Sequence, residues 1–365
     1  MKMQAKTALG WVAGVLLGNA AVGPVLAGDG VPLPPERMTG KAMYIIGSTL
    51  MKPYTAAITE RVSRNAALPA AVIVSKGTSR GVESFCDGVG LETPDVVAVS
   101  RRMRTDELQR CKEHGVTDII EIQVGYEATA VVSRRDDQEY PLTLLSFYRG
   151  VAAELPEGYE FPANTAKHWK EVDRKLPDTE IRVVLPVPAL GGRAFVEDRM
   201  LQGACRDIFE IKTIFDSSER VKQCVNLRKD GHIVELDAPY DANVVKTMSQ
   251  SPAGTLAVLP LRFAAEHPDV LKIQPINGVM PTAQAVANRS YDLIRPLYYF
   301  VKKAHVKNYL GEGPVTGLRE FVTEATRESS LGPDGYLTHM GVMPLDDQMR
   351  QHVRDSALTL TTMDR

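Results

Sequence analysis

The most constraining feature of this sequence is one local device that occurs three times. An apolar, β-type run ends in a glycine-bearing turn, and a helical pattern follows directly. Met43–Ile46 leads into Gly47-Ser48-Thr49-Leu50, with Pro53 in the next helix's first turn, where proline is tolerated. Leu50, Tyr54, Ile58 and Val62 then recur at helical spacing. Ala71–Val74 leads into Gly77-Thr78-Ser79-Arg80-Gly81 and the helical run Val82–Phe85, and a further strand, Val96–Val99, ends on Ser100-Arg101. Glu180–Leu185 leads into the turn 186–193 and a helix over 194–202. Strands alternating with helices predict an α/β fold with mainly parallel sheets. No short fixed repeat period is present, which argues against a solenoid.

The same device has chemical consequences. A helix start leaves its first N–H groups without intrahelical acceptors, and neighbouring hydroxyls add donors. Donors and dipole together attract an oxyanion. An ordinary helix cap is the alternative reading of each turn taken singly. The formal charge of −2 gives no electrostatic footprint for a nucleic acid, so a bound anion has to be held by local geometry.

Residues 1–27 have the pattern of a cleaved secretory signal. Lys2 and Lys6 precede the apolar stretch Ala8–Leu17, and Val25-Leu26-Ala27 supplies small residues before Gly28. Gly18, Asn19, Gly23 and Pro24 interrupt the run short of the roughly 20 residues a spanning helix needs. Cleavage would take the formal charge from −2 to −4. No cysteine stands at the cleavage point for a lipid anchor. The location expected is the periplasm of a Gram-negative bacterium. Residues 28–40, rich in Gly and Pro, are expected to be a flexible leader, and 346–365 a polar tail. Export makes disulfides reasonable for the four cysteines. Of the three connectivities, Cys86–Cys111 with Cys205–Cys224 keeps each bridge inside one domain; free thiols are the alternative.

Further along, Leu142–Tyr148 reads as a helix. Leu271–Ile276, Gly278–Pro281 and Leu297–Lys302 read as closing strands, and 317–326 as an amphipathic helix. Glu127 follows a strand and is a candidate acceptor for a protonated ligand, or a surface group near a hinge. The histidines show no metal-ligand spacing. There is no Gly-x-Ser-x-Gly elbow, P-loop or GxGxxG in strand–helix context, so neither a cofactor nor a catalytic constellation is expected.

Taken in order, these motifs resemble the phosphate-binding protein family of ABC phosphate importers, over roughly Met43 to Leu345. Gly47-Ser48-Thr49-Leu50 resembles that family's first turn, and Gly77–Gly81 with Phe85 its second. Asp95–Arg101 is similar to its Asp-Ile-Ala-x-Ala-Ser-Arg segment. The middle region around Trp169, Leu176-Pro177-Asp178 and Ile181–Val184 is also similar. So is the closing pattern of Gly278–Thr282 followed by Tyr291-Asp292-Leu293-Ile294-Arg295-Pro296-Leu297-Tyr298. The third turn departs: where the family carries Arg-x-Asp/Glu-Gly-Ser-Gly-Thr, this chain has Pro186-Val187-Pro188-Ala189-Leu190-Gly191-Gly192, with Arg193 just beyond. The family's acidic acceptor is absent too, its neighbourhood being occupied by Arg101.

The resemblance implies a two-lobed type II periplasmic-binding fold, with lobe one at 41–125 plus 285–345 and lobe two at 126–284. It implies a monomeric periplasmic substrate-binding protein for phosphate or a related oxyanion, closing on its ligand and presenting it to an ABC permease at the inner membrane. The ligand set it implies is Ser48, Thr49, Leu50, Thr78, Ser79, Ser100, Arg101, Gly191, Gly192 and Arg193, with Arg101 or Arg193 supplying a bidentate guanidinium. A ligand-sensing or adhesion module on the same fold is the alternative that the altered third turn raises. A hydrolase on this fold is a third.

Overall fold

A computed structural model describes residues 25–26, 30, 32–307 and 313–363. Apart from Val25 and Leu26, the expected signal segment lies outside the described residues. In chain order the principal elements are α1 (Pro35–Met38), β1 (Tyr44–Gly47), α2 (Lys52–Ala66), β2 (Val72–Ser75), α3 (Thr78–Phe85), β3 (Val96–Val99), α4 (Thr105–Glu113), β4 (Ile119–Arg134) and α5 (Leu144–Val151). There follow β5 (Arg182–Pro186), α6 (Gly191–Phe195), α7 (Ser217–Val225), β6 (Ile233–Leu236), α8 (Tyr240–Gln250), β7 (Thr255–Pro260), α9 (Leu261–Ala265), β8 (Leu271–Gln274), β9 (Ile294–Lys302), α10 (Leu318–Thr326) and α11 (Asp347–Leu358).

Nine strands form one sheet in the order β2-β1-β3-β9-β4-β7-β5-β6, with β8 also on β4. The long strand β4 joins two similar halves. Its Ile119–Ala128 portion pairs antiparallel with β9, and its Thr129–Arg134 portion pairs antiparallel with β7 and β8. In the first half β2, β1 and β3 run parallel; in the second, β6, β5 and β7 do. Each parallel trio therefore has a central strand, β1 or β5, whose carboxyl end runs into one of the glycine turns.

The side-chain period of two explains how the first half is covered on both faces. Ile45, Val96 and Ala98 pack with Tyr54, Ile58 and Val62 of α2. Ile46, Val97 and Val99 point the other way, onto Val82 and Phe85 of α3. Two bridges, Cys86–Cys111 and Cys205–Cys224, tie α3 to α4 and the helical segment after α6 to α7. This is the pairing favoured from sequence.

Four expectations are corrected. Residues 35–40 are not loose: α1 places Arg37 fully buried, with its guanidinium forked on Asp95 at 2.8 Å for both contacts. Asp95 also accepts from the Tyr44 N–H (2.8 Å) and meets His305 Nδ1 at 2.6 Å, which pins the segment to the amino end of β3. Residues 347–358 are helical, with Asp346 capping the Met349 N–H and Val353 and Ala357 buried. Residues 278–281 turn rather than pair as a strand, with Asn277 and Gly278 at φ 52° and 76°. The α5 helix starts two residues later than expected, at the Thr143 cap, whose hydroxyl accepts from the Ser146 N–H.

Candidate functional site

The carboxyl edge of β1, β2 and β3 brings most of the first-half candidates together, at the location where open parallel sheets usually take ligands. Two glycines make this possible. Gly47 has φ 151°, and a Cβ there would meet the Ala98 carbonyl oxygen at 1.9 Å. Gly81 lets α3 lie directly on β1, since a Cβ there would stand 2.8 Å from Gly47 Cα. The Ser48 N–H donates to the Ala98 carbonyl at 2.8 Å, and the Lys76 and Gly77 N–H groups both donate to the Gly47 carbonyl at 3.0 Å. The three strand ends are thereby stitched to one another.

Gly77 is the N-cap of α3, at φ 82°, and no side chain caps this helix. Its first amides, from Thr78 onward, lack intrahelical acceptors. The Thr78 hydroxyl lies 3.4 Å from that of Ser100, so the ends of β2 and β3 present hydroxyls side by side. Arg101 donates to Ser79 Oγ (3.1 Å) and forks onto Glu107 (2.6 and 2.8 Å). Its charge is thus matched by a carboxylate. Burial pushes the Glu107 carboxyl up, but hydrogen bonds from Arg101 and the Arg104 N–H outweigh it and hold it below the ordinary carboxylate range. Ser48 opens a single 3₁₀ turn, Thr49–Met51, that feeds α2; Thr49 is exposed, while the Leu50 side chain packs on the core and leaves only its backbone to donate.

In the second half, α6 begins at Gly191, three residues earlier than expected, and continues through a π-helical stretch to Cys205. Gly191 and Gly192 are exposed in its first turn, uncapped by any side chain. Arg193 turns away into a buried position. Its guanidinium donates to Glu197 (2.8 Å), Glu235 (2.5 Å) and the Pro186 carbonyl (3.2 Å).

Sequence reasoning missed the cluster that links the two helices leading from the first and third turns. Glu127 of β4 and Arg295 of β9 form a close ion pair where these strands cross between the halves. Phe195 of α6 lies under the Arg295 guanidinium, 4.9 Å from ring centroid to carbon. Tyr54 of α2 senses the same pair: burial first, then Glu127, pushes its hydroxyl up to about 12. Asp241 at the start of α8 is pushed up by burial and by Glu127. Glu127 was singled out in the sequence, but its partner 168 residues away leaves no local signal. Among the described residues, no group of three or more His, Cys, Asp or Glu is arranged to hold a metal ion.

With this arrangement established, comparison with known proteins is decisive for the family. The model of the PBP superfamily domain matches residues 37–329. The chain belongs to the PBP superfamily. The superfamily match begins at Arg37, the buried residue that anchors the first segment. The phosphate-binding protein PstS of Staphylococcus haemolyticus is 24% identical over 270 residues, 72% of this chain and 71% of that protein. A crystal structure described as a possible phosphate binding protein from Planctomyces limnophilus superposes with a TM-score of 0.62 at 19% identity, covering 88% of this chain and 99% of that one. An ABC-type phosphate transport receptor from Vibrio cholerae gives 0.58 at 16% identity, covering 83% and 100%. These neighbours share the α/β type II PBP fold. They are named for binding or transporting phosphate, and none for catalysing a reaction.

Proposed function

We propose that this PBP-superfamily chain is a periplasmic substrate-binding protein of an ABC importer that holds phosphate or a related oxyanion between two lobes. The lobes of this reading are 41–125 plus 285–345 and 126–284, joined near the Glu127–Arg295 pair. The reading rests on one observation above the others. Thr78 and Ser79 from one segment and Ser100 and Arg101 from another meet at one strand edge beside the uncapped start of α3. Hydroxyls and unpaired amides there are donors for a tetrahedral anion. The names of the relatives support phosphate as the ligand class.

Arg101 has a specific part in this reading. With Glu107 in its fork, it orients the Ser79 hydroxyl and cancels a carboxylate that would otherwise repel an anion. The backbone of Ser48, Thr49 and Leu50 donates from the first turn. Gly191 and Gly192 donate from the opposite lobe when it closes, while Arg193 braces that turn from within. Isothermal titration calorimetry of the chain lacking residues 1–27 against phosphate, arsenate, sulfate and molybdate tests the proposal. One-site binding of phosphate or arsenate is expected. Absence of heat with all four anions would overturn it, and a histidine-kinase rather than a permease partner would favour the sensing alternative.

A further inference from the structure

A cavity of about 540 Å³ flanks the strand edge, since its lining residue Arg102 follows Arg101 and its lining residue Tyr298 pairs with Val99 at the end of β3, but none of the candidate ligand residues lines it. Its floor is apolar and aromatic: Tyr126 of β4, Ile294 and Tyr298 of β9, and Val353 of α11, all buried. Its rim is cationic. Arg199, from the π-helical stretch after α6, and Arg289, just before β9, both line it. Both side chains are exposed, and among the described residues neither guanidinium makes a hydrogen bond or ion pair, while the Arg289 backbone N–H donates to the Val286 carbonyl at 3.1 Å. Arg102 also lines the cavity but is satisfied by Glu121. Arg289 sits at φ 60° just past the C-cap of the short helix Ala283–Ala287, the left-handed position that commonly ends a helix.

We propose that this cavity is a ligand site for an organic phosphate monoester. Two guanidiniums that line one cavity without a carboxylate partner suit a dianion, and the guanidinium fork matches phosphate oxygens in particular. The volume falls in the range of about 300–1,000 Å³ typical for small organic ligands, so inorganic phosphate would leave most of it unfilled. The aromatic and aliphatic floor takes the organic part, while Arg199 and Arg289 clasp the phosphate from the two halves of the sheet. The helix α11 forms one wall, which gives this carboxyl-terminal element a binding role.

Phenyl phosphate is a suitable probe, titrated calorimetrically with inorganic phosphate already at saturation. Saturable binding is expected under that condition, weakened at least tenfold in Arg199→Ala/Arg289→Ala. Ser356→Trp, which narrows the cavity and leaves the arginines in place, is expected to weaken it comparably. Inorganic phosphate affinity stays at the wild-type value in both variants. Phenyl phosphate binding that depends on Arg199 and Arg289 in a protein that gives no heat with phosphate, arsenate, sulfate or molybdate would uphold this site and refute the proposed function. No binding, full displacement by inorganic phosphate, or wild-type affinity in the double-arginine variant would overturn the site.

Discussion

Replacing Arg101 by Ala probes whether the strand edge works as an electrostatically balanced anion site. Arg101 Nη2 stands 2.6 Å from Glu107 and 3.1 Å from the Ser79 hydroxyl, so both of its partners are within one guanidinium's reach. An oxyanion bonded to Ser79 then lies ~8 Å from the Glu107 carboxylate, and at an effective dielectric of about 20–80 their repulsion is about 0.5–2 kcal/mol. Arg101→Ala exposes that repulsion. Arg104 reaches the same carboxylate at 3.2 Å, but from a half-exposed position, and compensates in part. Phosphate affinity is therefore expected to fall about two- to thirtyfold. Glu107→Gln removes the charge, keeps a carbonyl acceptor for the Arg104 N–H, and is expected to tighten binding by a comparable factor. The double variant returns close to wild type. Calorimetry at low ionic strength reads all three, because salt screens charges at this separation. An unchanged affinity in Arg101→Ala refutes the balance. A double variant as weak as Arg101→Ala would show instead that the guanidinium touches the anion itself.

Other outcomes follow from the same geometry. Gly81→Ala puts a Cβ against Gly47 Cα; overpacking of this kind costs about 1–3 kcal/mol, and displacement of α3 should weaken phosphate binding as well, read by urea denaturation and calorimetry. Asp95→Ala leaves Arg37 buried without its carboxylate, and loss of about 3–5 kcal/mol in the unfolding free energy is expected. Lys302 is held down to about 7 by burial, although Asp95 opposes the shift. The unfolded chain keeps this proton up to higher pH, so stability should rise from about pH 7 towards pH 10, with a limiting slope of roughly 1.4 kcal/mol per pH unit. Lys302→Met should remove that slope in denaturation series at pH 7, 8 and 9.

The sequence carried the fold where the signal was local. Strands such as Val96–Val99 are continuous β-branched runs bounded by turns, and Gly47, Gly77 and Gly191 mark helix entries that the structure retains. The disulfide pairing followed from keeping each bridge inside one domain. Arg37 was illegible because its determinant is an aspartate 58 residues away, and the surrounding prolines and glycines imitate a linker. Pro35 at the start of a helix was the only local hint. The last helix was legible in principle: Met349, Val353 and Ala357 recur every four residues, a stripe hidden by the polar positions between them. At the site, residue types pointed to donors for an anion. They could not reveal that Arg101 and Arg193 face carboxylates from Glu107, Glu197 and Glu235, because such pairings depend on how strands and helices pack.

The anomalous signal of arsenate in crystals grown with that ion tests the central assignment most directly. A peak within hydrogen-bond reach of the first amides of α3 and the hydroxyls of Thr78 and Ser79 is the predicted result. A peak elsewhere in the molecule, with that edge empty, would contradict it.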